Sequence, residues 1–267
     1  MIYFSALLQT TPSYKAAATR LFAALDCRGI PYTLLQNTRD IWLRDFMPVK
    51  TGTGRHISFR YEPRYLKKDP QLRTDFRREI APQLPLQNLV YSHINLDGGN
   101  VVFSPSKTRA IISDRVFEES DDLSPAALVR ELERLLEARV IIIPSLRSDM
   151  TGHADGMVRF IDETTAVGNR SVHPFGLERR IQSVLHNHGI DVVDFPFFSS
   201  PKDSAVGCYL NFLDTETHLL LPVFGAKEDS RAIATAEGLF HKPVVPIDIR
   251  EIAQEGGVLN CISWEMG

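Results

Sequence analysis

Cysteine is scarce in this chain: 267 residues contain three, Cys27, Cys208 and Cys261. An odd, sparse set is a poor disulfide framework and points to a reducing compartment. No pair of them has the spacing of a metal site. Long apolar runs are missing too; stretches such as LLLPVF fall far short of the ~20 residues a membrane helix needs. The opening MIYFSALLQTT lacks a basic n-region and a long apolar core, so no signal peptide is expected. Nor is there an excess of positive charge: 30 Lys and Arg against 33 Asp and Glu leave a net charge of -3. That gives no argument for a nucleic-acid partner, which favours a basic face. These absences lead us to expect a cytoplasmic protein with neither membrane nor nucleic acid as partner. A hydrophobic content of 43% is enough for one large domain or two small ones.

What the chain does have is a repeat. Residues 13–28 place Ala17, Leu21 and Leu25 on one helical face, with Gly29 as a stop. Residues 124–138 open with Ser124-Pro125, an N-cap and a good first-turn residue, and carry Leu128, Leu132, Leu135 and Leu136 as an apolar stripe. Residues 175–188 and 228–240 read the same way, and 70–81 form a weaker fifth candidate. A short apolar strand follows each: YTLLQ, NLVYS, VIIIP, DVVDF and VVPID. Further β-like runs come after a polar loop: FMPVK and HISFRY, NVVFS and RAIISDRVF, MVRFID and TTAVGN, CYLNFLD and HLLLPVF. The loop positions Trp42, Asp97, His153, Cys208 and Cys261 are separated by 55, 56, 55 and 53 residues. A fixed period of this size marks an array of supersecondary units. The last unit has only GVLNCISWE after its loop, and the opening IYFSALL is a candidate for its missing strand. Five αβ units around a pseudo-fivefold axis would gather the polar loops at one end.

Four loops carry residues able to do chemistry. Cys261 lies in Glu255-Gly256-Gly257-Val258-Leu259-Asn260-Cys261, where paired glycines allow tight backbone geometry. A lone cysteine is more often an inert core residue. His153, in Thr151-Gly152-His153-Ala154-Asp155-Gly156, is the natural acid–base near neutral pH. Alternation along an extended segment would put it on the same side as Asp155; a plain polar turn explains the segment equally well. Trp42, Arg44 and Asp45 sit in Asp40-Ile41-Trp42-Leu43-Arg44-Asp45, which a local salt bridge also explains. Asp97-Gly98-Gly99-Asn100 alone is a turn signal. The fourth loop, ending at Cys208 and followed by Asn211, offers no evident acid or base. Cys208 and Cys27 are read as structural.

Taken together and in order, WLRDFMP, LDGGN, GHADG and EGGVLNC resemble the agmatine deiminase family, which includes the bacterial peptidylarginine deiminases, within the guanidine-modifying enzymes. They run from residue 42 to 261, nearly the whole chain, and YLNF and VVPIDIREIA add to the likeness. The resemblance implies an α/β fold, a fivefold pseudosymmetric α/β propeller (pentein-like), occupying 1–267 as a single domain. It implies Cys261 as nucleophile and His153 as general acid–base. It makes Asp45 and Asp155 the carboxylates that grip a guanidinium, with Asp97 orienting His153. Trp42 and Arg44 then wall and brace the pocket, and the resemblance suggests a homodimer. The chain departs from the family at Glu255, where a glycine triplet is usual, and at Leu259-Asn260, where Ile-His is usual. It is also shorter than typical agmatine deiminases.

The chemistry explains the residue types. A guanidinium is planar, cationic and resonance-stabilised, hence a poor electrophile. Two carboxylates can grip its N–H edges bidentately and keep it charged. A thiolate then attacks carbon. Imidazolium protonates the departing ammonia, and neutral imidazole activates water against the thiouronium adduct. No metal or cofactor is called for. Agmatine, giving N-carbamoylputrescine, ranks first among substrates on the resemblance; arginine and peptidylarginine follow. The other readings are an amidinotransferase, which passes the adduct to an amine, an amide hydrolase using Cys261, His153 and an acid, and a catalytically dead binder of guanidino compounds. An amide hydrolase needs an oxyanion hole, which two converging carboxylates would oppose.

Overall fold

Four of the five periodic segments are helices in the computed structural model, which describes residues 1–170, 175–198 and 204–266: Lys15–Cys27, Pro125–Leu136, Leu177–His186 and Asp229–Leu239. Ser124 caps the second by accepting the Ala127 N–H, with Pro125 in the first turn. Gly29 ends the first with φ near +62°, where a side chain would be strained. The fifth segment differs. Residues 70–81 do not make one helix: Pro70–Leu72 and Ala81–Gln83 are 3-10 turns flanking a π turn at Phe76–Ile80. Pro82 lacks the N–H that would continue a helix past Ala81.

The strands form five sheets of three. In chain order they are β1 (Ile2–Ser5), β2 (Tyr32–Leu35), β3 (Val49–Lys50), β4 (His56–Arg60), β5 (Leu89–Asn95), β6 (Val101–Phe103), β7 (Arg109–Ser113) and β8 (Arg139–Ile143). There follow β9 (Val158–Phe160), β10 (Thr165–Asn169), β11 (Asp191–Phe195), β12 (Leu213–Asp214), β13 (Leu219–Val223), β14 (Val244–Asp248) and β15 (Ser263–Glu265). The sheets run β15-β1-β2, β3-β4-β5, β6-β7-β8, β11-β10-β9 and β12-β13-β14. β1 does supply the partner the last unit lacks, pairing antiparallel with β15 and parallel with β2. The same antiparallel-then-parallel plan holds at β4, β7 and β13. Each sheet therefore joins an antiparallel pair to the strand beyond the next crossover. Every polar loop of the repeat is consequently a link from one sheet to the next.

Several strand expectations are shortened. IYFSALL leaves the sheet after Ser5 and turns helical at Leu7–Thr10. RAIISDRVF ends as a strand at Ser113, with Val116–Glu119 helical. CYLNFLD contributes only Leu213–Asp214, because its first residues turn to serve the loop. Cys27, expected to be structural, is exposed at its helix end, and Cys208 is part-buried; neither is in a disulfide.

The chain divides into two compact units: Met1–Arg44 with Phe195–Gly267, and Asp45–Asp194. In the second unit, Leu128, Leu132, Leu135 and Leu136 are buried against Ile57, Ile94 and Ile112, burying the stripe that the sequence shows. Ile181 and Leu185 pack likewise on Ile111, Ile141 and Ala166. In the first unit, Phe22 stacks on Tyr32 at 4.8 Å, and Tyr209 meets Phe224 edge-on at 5.1 Å. Among the described residues, no helix is long and apolar enough to cross a membrane.

Candidate active-site residues

In the unit Asp45–Asp194, four of the expected residues come together. Asp45 stands in the helical turn Leu43–Phe46. Asp97 follows β5 and precedes the 3-10 turn Gly98–Asn100. His153 and Asp155 belong to the loop after β8. The segment after His153 is the 3-10 turn Ala154–Gly156, not the extended run expected from alternation. Asn100 ties the two loops together: its Oδ1 accepts the N–H groups of Ala154 and Ser113. All four side chains are buried, none more than 9% exposed.

His153 bridges two carboxylates. Its Nε2 is 3.0 Å from Asp97 Oδ2 and its Nδ1 is 3.5 Å from Asp45 Oδ1. The Tyr65 hydroxyl donates to the same Asp97 oxygen at 2.9 Å, giving a chain Tyr65–Asp97–His153. The Gly99 N–H donates to Asp45 Oδ1 at 3.2 Å. A methyl on Gly99 would lie 2.6 Å from that oxygen, 2.8 Å from His153 Nδ1 and 3.4 Å from Asp155 Oδ2. Glycine is therefore required by the close approach of three functional groups, not by backbone strain.

Charge follows from this geometry. Burial alone would lower the His153 pKa, but Asp45, Asp97 and Asp155 overcome it and raise it to about 10. At neutral pH the ring is an imidazolium. Burial raises Asp45 to about 7; the imidazolium opposes this, and Asp97 and Asp155 add to it. Tyr65, buried beside these acids, is pushed well above its usual range and stays a neutral donor. Three carboxyl groups thus surround one imidazole.

In the other unit, Met1–Arg44 with Phe195–Gly267, the Cys261 loop is braced. Cys261 N–H donates to Asn211 Oδ1 at 3.2 Å, and its carbonyl accepts Arg44 N–H at 3.0 Å. The neighbouring Asn260 N–H donates to the Asn211 carbonyl at 3.1 Å. Arg44 reaches the Asn260 carbonyl with Nε at 3.2 Å and Glu265 with Nη2 at 2.7 Å. Trp42 lies across Gly257: a Cβ there would be 2.5 Å from its ring and 3.0 Å from Cys261 Cβ. Gly256, with φ near +103°, makes the turn into this contact. Cys261 itself is part-buried. Trp42 and Arg44 thus wall and brace the cysteine loop. Among the described residues, no group of three or more His, Cys, Asp or Glu has the arrangement of a metal site.

Sequence reasoning missed Tyr65, which lies in a stretch without a motif, and gave no role to Gly99, Asn100 or Asn211. The Asn100 and Asn211 positions were visible beside loops, but nothing local shows which carbonyl or N–H they meet.

Five three-stranded sheets on one connection plan, with polar loops linking them, define a pentein-type α/β propeller fold. The chain belongs to the Porphyromonas-type peptidyl-arginine deiminase family, whose model matches residues 6–266. It is 25% identical over 113 residues to a "putative agmatine deiminase" of Enterococcus faecalis. That match spans 42% of this chain and 31% of the relative's length. Among solved structures, the agmatine deiminase of Enterococcus faecalis aligns with a TM-score of 0.73 at 15% identity, covering 98% of this chain and 92% of that one. A "putative arginine deiminase" from Porphyromonas gingivalis aligns at 0.77 with 21% identity, covering 98% and 94%.

Proposed function

We propose that this protein is a hydrolase of C–N bonds in linear amidines, releasing ammonia from a guanidinium substrate through a covalent Cys261 adduct. The observation that carries the reading is the buried His153 imidazolium set among Asp45, Asp97 and Asp155. A cluster of three carboxyl groups suits a cation, and the imidazolium is a ready acid for a departing amine. Assigning Cys261 to the same reaction is supported by family membership and the order of the four motifs.

The steps balance as follows. Asp45 and Asp155 take the guanidinium N–H groups. The Cys261 thiolate forms a C–S bond at the central carbon. His153 gives a proton to nitrogen as the C–N bond breaks, and ammonia leaves. The neutral imidazole then takes a proton from water as oxygen attacks the thiouronium carbon. The C–S bond breaks as the proton on the added oxygen passes to solvent, returning the thiolate and a neutral ureido product. A bound guanidinium beside His153 lowers its pKa, which makes the base role of the second half accessible. Agmatine is the first candidate substrate, supported by the agmatine deiminase relatives; arginine and peptidylarginine follow. The carboxylates around His153 disfavour an amide hydrolase, whose transition state develops negative charge.

The test is ammonia release from agmatine, arginine and an arginine peptide, with Cys261→Ala as control. Cysteine-dependent ammonia from one of them establishes the reaction, and Cys261→Ala should keep binding that substrate without turnover. Turnover by Cys261→Ala would reject the covalent route. Binding without ammonia by the unmodified protein would favour a binder or an amidinotransferase.

A further inference from the structure

The second repeat carries a feature with no part in that chemistry. Elsewhere in the repeat a helix of ten or more residues spans from one strand to its neighbour in the sheet, as Pro125–Leu136 does between β7 and β8. Between β4 and β5 the crossover is instead broken into 3-10 and π turns. A cavity of about 370 Å³ lies against this segment and the two strands. None of Asp45, Asp97, His153 or Asp155 lines it. Its volume is within the range of small-molecule sites.

The lining is basic. Arg60, Arg73, Arg77 and His93 contribute to it, against Glu62 and Asp75. Glu62 lies 4.0 Å from Arg60, and Asp75 accepts the Arg78 N–H at 3.1 Å. Among the described residues, no ion pair engages Arg73 or Arg77. Arg77 is laid over the Tyr91 ring, 4.7 Å from its centroid, which fixes the guanidinium without neutralising it. Arg73 donates Nη2 to the Leu66 carbonyl at 3.0 Å, while its buried Nε has no hydrogen-bond partner. A buried donor left unpaired is uncommon enough to need a reason. Ser58, Thr74 and Ser92 also line the space.

We propose that this cavity binds a small phosphate-bearing molecule, with Arg73 and Arg77 as its principal contacts. Guanidinium forks match phosphate oxygens bidentately, and two uncompensated forks suit a dianion better than a monocarboxylate. The proposal is independent of the reaction assigned to Cys261, because its readout is binding alone.

The experiment is calorimetric titration of the intact protein at fixed ionic strength with inorganic phosphate, adenosine monophosphate and uncharged adenosine. Arg73→Gln and Arg77→Gln are compared with Arg78→Gln, an exposed neighbour outside the cavity. We expect the phosphate-bearing probes to bind and adenosine not to. Arg73→Gln and Arg77→Gln should each weaken binding about tenfold, with Arg78→Gln unchanged. Equal affinity for phosphate and the monophosphate would name free phosphate as the ligand; tighter monophosphate binding would name a phosphomonoester. No phosphate binding up to about 10 mM, or equal binding by Arg77→Gln and unmodified protein, overturns the proposal. Arg77 is exposed, so that arm stands even if Arg73→Gln does not fold.

Discussion

Replacing Gly99 by alanine adds one methyl group where three functional side chains meet. The new carbon would sit 2.6 Å from Asp45 Oδ1 and 2.8 Å from His153 Nδ1, short of ordinary 3.4 Å contact by about 0.8 and 0.6 Å. Both obstructing atoms belong to side chains, the Asp45 carboxylate and the His153 ring, so the methyl displaces those groups and not the backbone. The backbone is no obstacle, because Gly99 is not in the left-handed region. The cost therefore falls on position, not on folding. A displacement near 1 Å of a catalytic group costs about 100-fold in rate, or about 2.7 kcal/mol of transition-state stabilisation. We expect Gly99→Ala to lose about 100-fold in kcat/KM for ammonia release while Tm moves by no more than a few degrees. Gly238→Ala is the matched control: its methyl meets nothing within 4 Å, and both readouts should stay near those of the unmodified protein. A folded Gly99→Ala retaining half its activity would refute the placement of the site at Asp45, His153 and Asp155.

Three further outcomes follow from charge and packing. With Asp45 raised to about 7, guanidinium affinity should rise as pH increases through neutrality and binding should release a proton; calorimetry in buffers of different ionisation enthalpy reads both, and pH-independent binding would reject the Asp45 assignment. The His153 pKa is raised from 6.5 to about 10, so its stabilisation is full below 6.5 and is lost as pH rises through 10. Asp97→Asn should move that alkaline loss to lower pH, and a Tm-against-pH curve identical to that of the unmodified protein would show that Asp97 does not hold the imidazolium. Leu132→Ala, at a fully buried position under the β7–β8 crossover, should cost about 2–5 kcal/mol in denaturant unfolding; a loss under about 1 kcal/mol would mean the core is not where the leucine stripe puts it.

How much was legible beforehand varied from element to element for physical reasons. Pro125–Leu136 could be read almost to its ends, because Ser124, Pro125 and four leucines encode cap and face within one short stretch. The 55-residue period exposed the repeat, and with it the five loops, since a recurring unit leaves a recurring pattern. Residues 70–81 read as a weaker helix candidate on their pattern, and nothing in that pattern marks the breaks into separate turns. Phase also escaped: the repeat reads from helix to strand pair, whereas each sheet begins with the strand pair and ends beyond the helix.

Sequence by itself determined the α/β repeat, the placing of Asp45, Asp97, His153, Asp155 and Cys261 in equivalent polar loops, and the likeness to the guanidine-modifying enzymes. These depend on periodicity and residue type, which are local properties of the chain. Tertiary structure alone decided that His153 is an imidazolium, that Tyr65 holds Asp97, that Asn211 and Arg44 brace Cys261, and that a cavity with three arginines lies against the broken crossover. Those are matters of distance and burial between residues far apart in sequence. A pKa, an orphaned donor or a glycine-only contact exists only once folding has brought such residues within a few ångströms of each other and away from water.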